Sequence, residues 1–166
     1  MNRRNSIITG LTGLAAIATL TSTAQAAEDE AANPDLEKIK AVLKAHDDAY
    51  GAHNLAGVLA TLAPKAVIIG AGPGEVWSGH EEIKDAYEHF FADFDKGEQA
   101  FDYQYKFGAL SAEMGWLMVS GEIKGKKGDK SFAVGLNLSL VVSKTGDEWK
   151  IAAMHYSTVA GEKSAK

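Results

Sequence analysis

The stretch Ser131–Ser157, SFAVGLNLSLVVSKTGDEWKIAAMHYS, restricts the fold more than any other part of the chain. An apolar run rich in Val and Leu enters the polar turn Lys144-Thr145-Gly146-Asp147, and a second run carrying Trp149 follows. Two strand-like runs around a Gly-containing turn read as a β-hairpin. A strand alternates its side chains between two faces, so Trp149, Ile151, Ala153, His155 and Ser157 are expected on one face of the second strand. Gly135, Asn137 and Ser139 share a face of the first. The hairpin therefore carries a histidine to its closing end.

Upstream, the hydrophobic period changes once. Asn33-Pro34 has the form of an N-cap followed by proline at the first helical position. Leu36, Ile39, Leu43, His46 and Tyr50 then recur at three- and four-residue intervals, on one helix face. Gly51-Ala52-His53 ends that helix. Asn54 caps a short second helix carrying Leu55, Val58, Leu59 and Leu62, and Pro64 closes it. Ala66–Gly70 is a brief apolar strand, Gly70-Ala71-Gly72-Pro73-Gly74 a turn, and Glu75-Val76-Trp77 the returning strand. The turn is not a phosphate loop, because it lacks the closing Lys-Ser/Thr and no helix follows it directly. Ser78-Gly79-His80-Glu81 has the Ser-x-x-Glu pattern of a capping box and opens a third helix, with Ile83, Tyr87, Phe90 and Phe94 on one face.

After Gly97 the period is two. Phe101, Tyr103, Tyr105 and Phe107 make an aromatic face, Trp116–Ile123 is the next strand, and Gly125–Asp129 turns the chain into the closing hairpin. Helices first and strands after predict an α+β fold, with three N-terminal helices packed on one face of a curved, mainly antiparallel sheet.

Residues 1–26 have another character. Arg3 and Arg4 precede an apolar run, Ile7–Leu20, and Ala24-Gln25-Ala26 sets small residues where a signal peptidase reads. This is the pattern of an export signal cleaved after Ala26, which places the mature chain in the periplasm or outside the cell. The apolar run is too short and too rich in Gly and Thr to span a bilayer, which takes roughly 20 apolar residues. No membrane span is expected after cleavage. The Arg3-Arg4 pair also occurs in twin-arginine signals, a pattern that Asn5-Ser6 fits poorly. Ala27–Lys166 has the length of a single domain. The chain has no cysteine, which excludes cysteine-ligated zinc and thiol nucleophiles. Of 17 basic and 22 acidic residues, two arginines precede Ala27, which leaves the mature part at −7. So acidic a domain is unsuited to nucleic acid or to anionic membranes.

Val76-Trp77-Ser78-Gly79-His80-Glu81-Glu82-Ile83, and Gly146-Asp147-Glu148-Trp149-Lys150-Ile151 running on to His155-Tyr156-Ser157, resemble the SnoaL-like branch of the nuclear transport factor 2-like superfamily. The resemblance covers Asn33–Ser157. It implies a cone-shaped α+β barrel, a strongly bent sheet wrapped around the first helix with a central pocket between them. In that frame His155 is expected on the concave side, near His46 and Tyr50. Many relatives carry an Arg-x-Thr pair in the penultimate strand; here Asn137-Leu138-Ser139 stands in its place, and no role of the arginine carries over. Ketosteroid isomerase, in the same superfamily, would set an aspartate base near Gly70 and an oxyanion tyrosine near His46, and neither residue type is there. The superfamily also hosts cyclases, dehydratases and subunit-association domains, so the resemblance implies fold before function.

The candidate ligand-binding residues are His46, Tyr50, Trp77, Asn137 and His155, and His155 is the best candidate for a general base. Each has a plainer alternative. His155 can be a structural histidine bonded to backbone or to Tyr50, and Trp77 a core plug beneath the hairpin. The Phe101–Phe107 stripe can be sheet packing or a dimer face. His46 is not expected to use Asp47 or Asp48 as an orienting carboxylate, since neighbours one or two apart on a helix do not face each other. His46, His53, His80, His89 and His155 lack compact ligand spacing, so neither a metal site nor a cofactor is expected. Three uses remain. One is a pocket for a small apolar or aromatic organic ligand. Another is an acid–base enzyme of isomerase, cyclase or dehydratase type, with His155 moving a proton and Tyr50 or Asn137 holding an oxyanion. The third is a homodimeric assembly domain joined through the sheet. The carboxylate missing near Gly70 favours the first over the second.

Overall fold

A computed structural model describes residues 33–158. The export reading of residues 1–26 lies outside the described residues. By its internal contacts the chain divides into two units, Met1–Glu37 and Lys38–Lys166. In the first, Asn33 caps as its sequence context predicts: its Oδ1 accepts the Asp35 N–H at 3.0 Å. This opens α1 (Pro34–Gly51).

The second unit holds the rest of α1, then α2 (Leu55–Thr61), β1 (Leu62–Ile69), β2 (Val76–Ser78), α3 (Gly79–Ala92), β3 (Ala100–Leu110), β4 (Met114–Lys127), β5 (Lys130–Thr145) and β6 (Glu148–Thr158). The six strands form one sheet in the order β2-β1-β6-β5-β4-β3. All neighbours are antiparallel except β1 and β6, which run parallel. This is the α+β fold that the change of period predicts: three helices and a curved, mainly antiparallel sheet. The sheet stays open, with β2 and β3 at its edges.

Two boundaries differ from expectation for local reasons. Asn54 caps α2 through Oδ1 to the Gly57 N–H at 3.0 Å, but the helix stops at Thr61 and Leu62 is already extended. A residue preceding proline is pushed out of the helical region, so the chain leaves the helix before Pro64. Pro64 itself has no N–H to give a ladder, and it falls in the stretch between Leu62 and Val67 where the β1–β6 register shifts. At the start of α3, the Ser78 side chain makes no capping bond. Its N–H instead donates to Glu82 Oε2 at 2.7 Å, one residue beyond the Ser-x-x-Glu pattern.

The core joins α3 to the sheet. Ile83 and Tyr87 of α3, Val58 of α2, Ile68 of β1, and Trp149 and Ile151 of β6 are each at most 2% exposed. On β6 this burial changes side halfway. Ile151 pairs with Val142 and Ala153 with Val141, so Ala152 is an extra residue opposite no partner. Past that bulge Met154 and Tyr156 continue the inner face begun by Trp149 and Ile151, while His155 and Ser157 point outward. β3 does the same at Gln104, between the pairs Tyr103–Gly121 and Tyr105–Ser120. The aromatic stripe is therefore two half-stripes, with Phe101 and Tyr103 inside and Tyr105 and Phe107 outside.

Gly121 makes the β3 bulge possible. A Cβ there would lie 2.8 Å from Tyr103 Cα and against the Asp102 carbonyl, which are backbone atoms that cannot turn aside. Gly121→Ala is expected to destabilise the fold by about 1–3 kcal/mol through overpacking. The urea midpoint reads this loss, and an unchanged midpoint would show that the bulge yields without cost.

Candidate functional site

α3 packs directly on β1 and β2, whereas α1 faces the sheet across a gap. That gap is a cavity of about 390 Å3. Leu43, His46, Asp47 and Tyr50 of α1 form one wall, Tyr87 and Phe90 of α3 another, and Gly70, Ala71 and Glu75 border it from the β1–β2 turn. The inner sheet face supplies Phe101 and Tyr103 from β3, Leu117 and Val119 from β4, Leu136, Leu138 and Leu140 from β5, and Met154 and Tyr156 from β6. Apolar walls with few polar groups suit a small organic ligand.

The polar groups are mostly phenols, organised around one histidine. His46 is buried, and its Nε2 lies 2.6 Å from Tyr87 Oη. Its Nδ1 lies 3.4 Å from Asp47 Oδ1, so the two helix neighbours do meet, contrary to expectation, at the long end of hydrogen-bond distance. When Asp47 accepts from Nδ1–H of a neutral ring, Nε2 is left as an acceptor for the Tyr87 hydroxyl. Burial first, and nearby charge second, hold Tyr50, Tyr87, Tyr103 and Tyr156 above the usual phenol range. The four are thus neutral donors at ordinary pH. Tyr87 is hydrogen-bonded to His46, and Tyr156 donates to Met154 Sδ at 3.4 Å. Tyr50 and Tyr103 make no hydrogen bond to another side chain among the described residues, which leaves two phenol O–H groups on the cavity wall for a ligand oxygen.

Of the five residues singled out by sequence, His46 and Tyr50 line the cavity together, with rings stacked at a centroid distance of 6.4 Å. Trp77 does not line it. Its ring stands edge-on to Phe90 at 5.6 Å, behind the wall. Asn137 and His155 lie on the opposite face of the sheet. Asn137 Nδ2 is 3.5 Å from Ser157 Oγ, and His155 is exposed, paired in register with Ser139 and Ile69. Period-two alternation predicts His155 on the concave side; the extra residue at Ala152 reverses that, and on β5 Leu136, Leu138 and Leu140 take the inner positions in place of Asn137 and Ser139.

Sequence reasoning missed Tyr87, Tyr103, Tyr156 and Glu75. Tyr87 sits on the α3 face already marked as apolar, so its type and position together were the available signal. Glu75 left none. A Cβ added to Gly70 would run into the Glu75 carboxylate, which accepts the Gly72 N–H at 2.7 Å. The Glu75 carboxylate thus occupies the space that a side chain at position 70 would take. Among the described residues no three His, Asp or Glu side chains converge as metal ligands, and no helix is long and apolar enough to cross a membrane.

The His46–Tyr87 bond is open to measurement. A double-mutant cycle of His46→Ala and Tyr87→Phe, followed by urea unfolding, is expected to give a coupling of about 1–2 kcal/mol. Additive effects would mean that the two groups do not depend on each other.

Comparison with solved structures gives the same architecture at low identity. A nuclear transport factor 2-like protein of unknown function from Pseudomonas putida superposes with a TM-score of 0.64 at 14% identity, over 78% of this chain and 92% of that one. A protein of unknown function with a cystatin-like fold from Nostoc punctiforme gives 0.62 at 10%, over 75% and 90%. A ketosteroid isomerase-like protein from Erwinia carotovora atroseptica gives 0.60 at 20%, over 77% and 98%. A search of curated proteins returns no match. The model of the SnoaL-like domain matches residues 39–161, which takes in every wall of the cavity. This chain therefore belongs to the SnoaL-like domain family.

Proposed function

We propose that the domain holds a small apolar or aromatic organic molecule in the cavity between α1 and the sheet, with an oxygen of that molecule accepting from Tyr50 or Tyr103. The observation that carries this reading is a cavity of about 390 Å3 with leucine walls and two phenol hydroxyls unbonded to protein. A cavity that served only packing would be expected to close on itself, because empty apolar space costs stability.

A second reading, proton transfer, gains from one observation: the Glu75 carboxylate occupies the space of a side chain at position 70. There it can take a proton from carbon next to a carbonyl whose oxygen is held by a phenol O–H, and return it to a neighbouring carbon. Glu75 replaces His155 as the base in this reading, because His155 does not reach the cavity. One screen decides between the two. In thermal-shift assays with phenols, ketones and aromatic metabolites, ligands are expected to raise the Tm. Tyr50→Phe should weaken an oxygen-bearing hit about fivefold, the loss of one hydrogen bond. Glu75→Gln lowers turnover about 100-fold or more if the site is catalytic, and leaves no turnover to lose if it only binds. No hit across the library would sink both.

The proposal extends to location and assembly. Residues 1–26 support export, and the outer sheet face supports a homodimer: Tyr105, Phe107, Trp116 and Met118 are 45–64% exposed and adjoin one another on β3 and β4. Native mass spectrometry of protein from the periplasmic fraction of a bacterial host is expected to show twice the mass of residues 27–166, and half that for Phe107→Glu. A monomer in the wild type, or an N-terminus other than Ala27, would refute the corresponding part.

A further inference from the structure

The electrostatics of the cavity wall select among ligands more narrowly than its shape does. Phe90, Tyr87, Tyr50, Phe101 and Tyr103 follow one another with ring centroids 5.7, 5.9, 6.1 and 5.7 Å apart, the first two contacts edge-on, the third tilted and the last stacked. Ring faces carry negative potential and attract cations. Asp47 and Glu75 add two carboxylates to the same lining. Neither has a lysine or arginine partner among the described residues: Asp47 meets only His46 Nδ1, and Glu75 the Gly72 N–H. The field of Asp47 reaches well into the cavity, since it helps hold the Tyr87, Tyr103 and Tyr156 hydroxyls in their neutral form.

Lys106 is the one lysine or arginine in the lining, brought inward by the Gln104 bulge. Its Nζ sits 5.3 Å from the centre of the Tyr103 ring rather than on a carboxylate. The wall thus already holds one ammonium group by an aromatic face. An anionic ligand would meet two carboxylates, with Lys106 and the Tyr50 and Tyr103 hydroxyls in its favour. A neutral ligand gains apolar contact and little else from these charges. A cation gains from the rings and the carboxylates together.

We propose that the ligand of this cavity is an organic cation, an aromatic or alkyl molecule bearing a quaternary or protonated amine, with its charge placed beside Asp47 and the aromatic rings of the wall. The proposal rests on the ligand-pocket reading above and adds the sign of the charge.

Three probes of similar size test it on the full chain by ligand-observed NMR titration at low salt: benzyltrimethylammonium, its neutral isostere neopentylbenzene, and 3-phenylpropanoate. The cation is expected to bind about tenfold more tightly than the isostere, the preference that aromatic and carboxylate contacts confer on a desolvated cation. The carboxylate should bind most weakly. Asp47→Asn, a change at a side chain half exposed to solvent, should cut the ratio of cation to neutral affinity about fivefold, and Lys106→Met should raise it. Neutral binding equal to or tighter than cation binding overturns the charge assignment and leaves the pocket reading standing. Tightest binding of 3-phenylpropanoate also overturns it, with Lys106 then setting the preference. If none of the three binds to protein that circular dichroism shows to be folded, both the assignment and the pocket reading fall.

Discussion

The cavity depends on two residues that pair with nothing, Gln104 on β3 and Ala152 on β6. A strand has two faces, and one inserted residue exchanges them for everything that follows. Without the Ala152 bulge, Trp149 and Ile151 would share a side with His155, and Met154 and Tyr156 would turn to solvent. Without the Gln104 bulge, Tyr103 and Phe107 would share a side, and Lys106 would be carried away from the wall. The bulges lie on β3 and β6 of the same sheet, and between them β4 and β5 run in unbroken register. The leucines of β5 can therefore floor the cavity along its whole length.

This also explains which parts of the molecule could be read from the chain. Caps, helix faces and hairpins follow from local chemistry, and Asn33, Asn54 and the apolar face of α1 stand where their neighbours predict. A bulge has no such signature, because Gln104 and Ala152 look like ordinary strand residues until the partner strand is known. His46 and Tyr50 were legible as site residues because the 3.6-residue period of α1 runs on without interruption. His155 was misplaced because period two was carried across an interruption, and Asn137 was misplaced with it because its face of β5 was assigned from that of β6. Glu75 was invisible for a third reason: its carboxylate reaches the site only through the path of the β1–β2 turn and the absence of a side chain at Gly70.

The inner and outer faces of the sheet have become chemically distinct from the same strands. Inside are leucines and phenols, with hydroxyls either bonded to His46 and Met154 or left free. Outside, a polar group of Ser120, Asn137, Ser139, His155 and Ser157 adjoins exposed aromatic and methionine side chains. The residues that first suggested chemistry, His-Tyr-Ser at the end of the hairpin, are divided between the two, with only the tyrosine on the cavity side.

The single parallel pair has a consequence of another kind. β1 is the first and β6 the last of the described strands, and Leu62 and Ile151 are joined across about 90 intervening residues. Closing so long a loop is slow, and until it closes Ile68 and Met154 each lack a neighbour. β6 follows every other described strand in the chain, so until it is made β1, β2 and α3 wait as an unfinished edge.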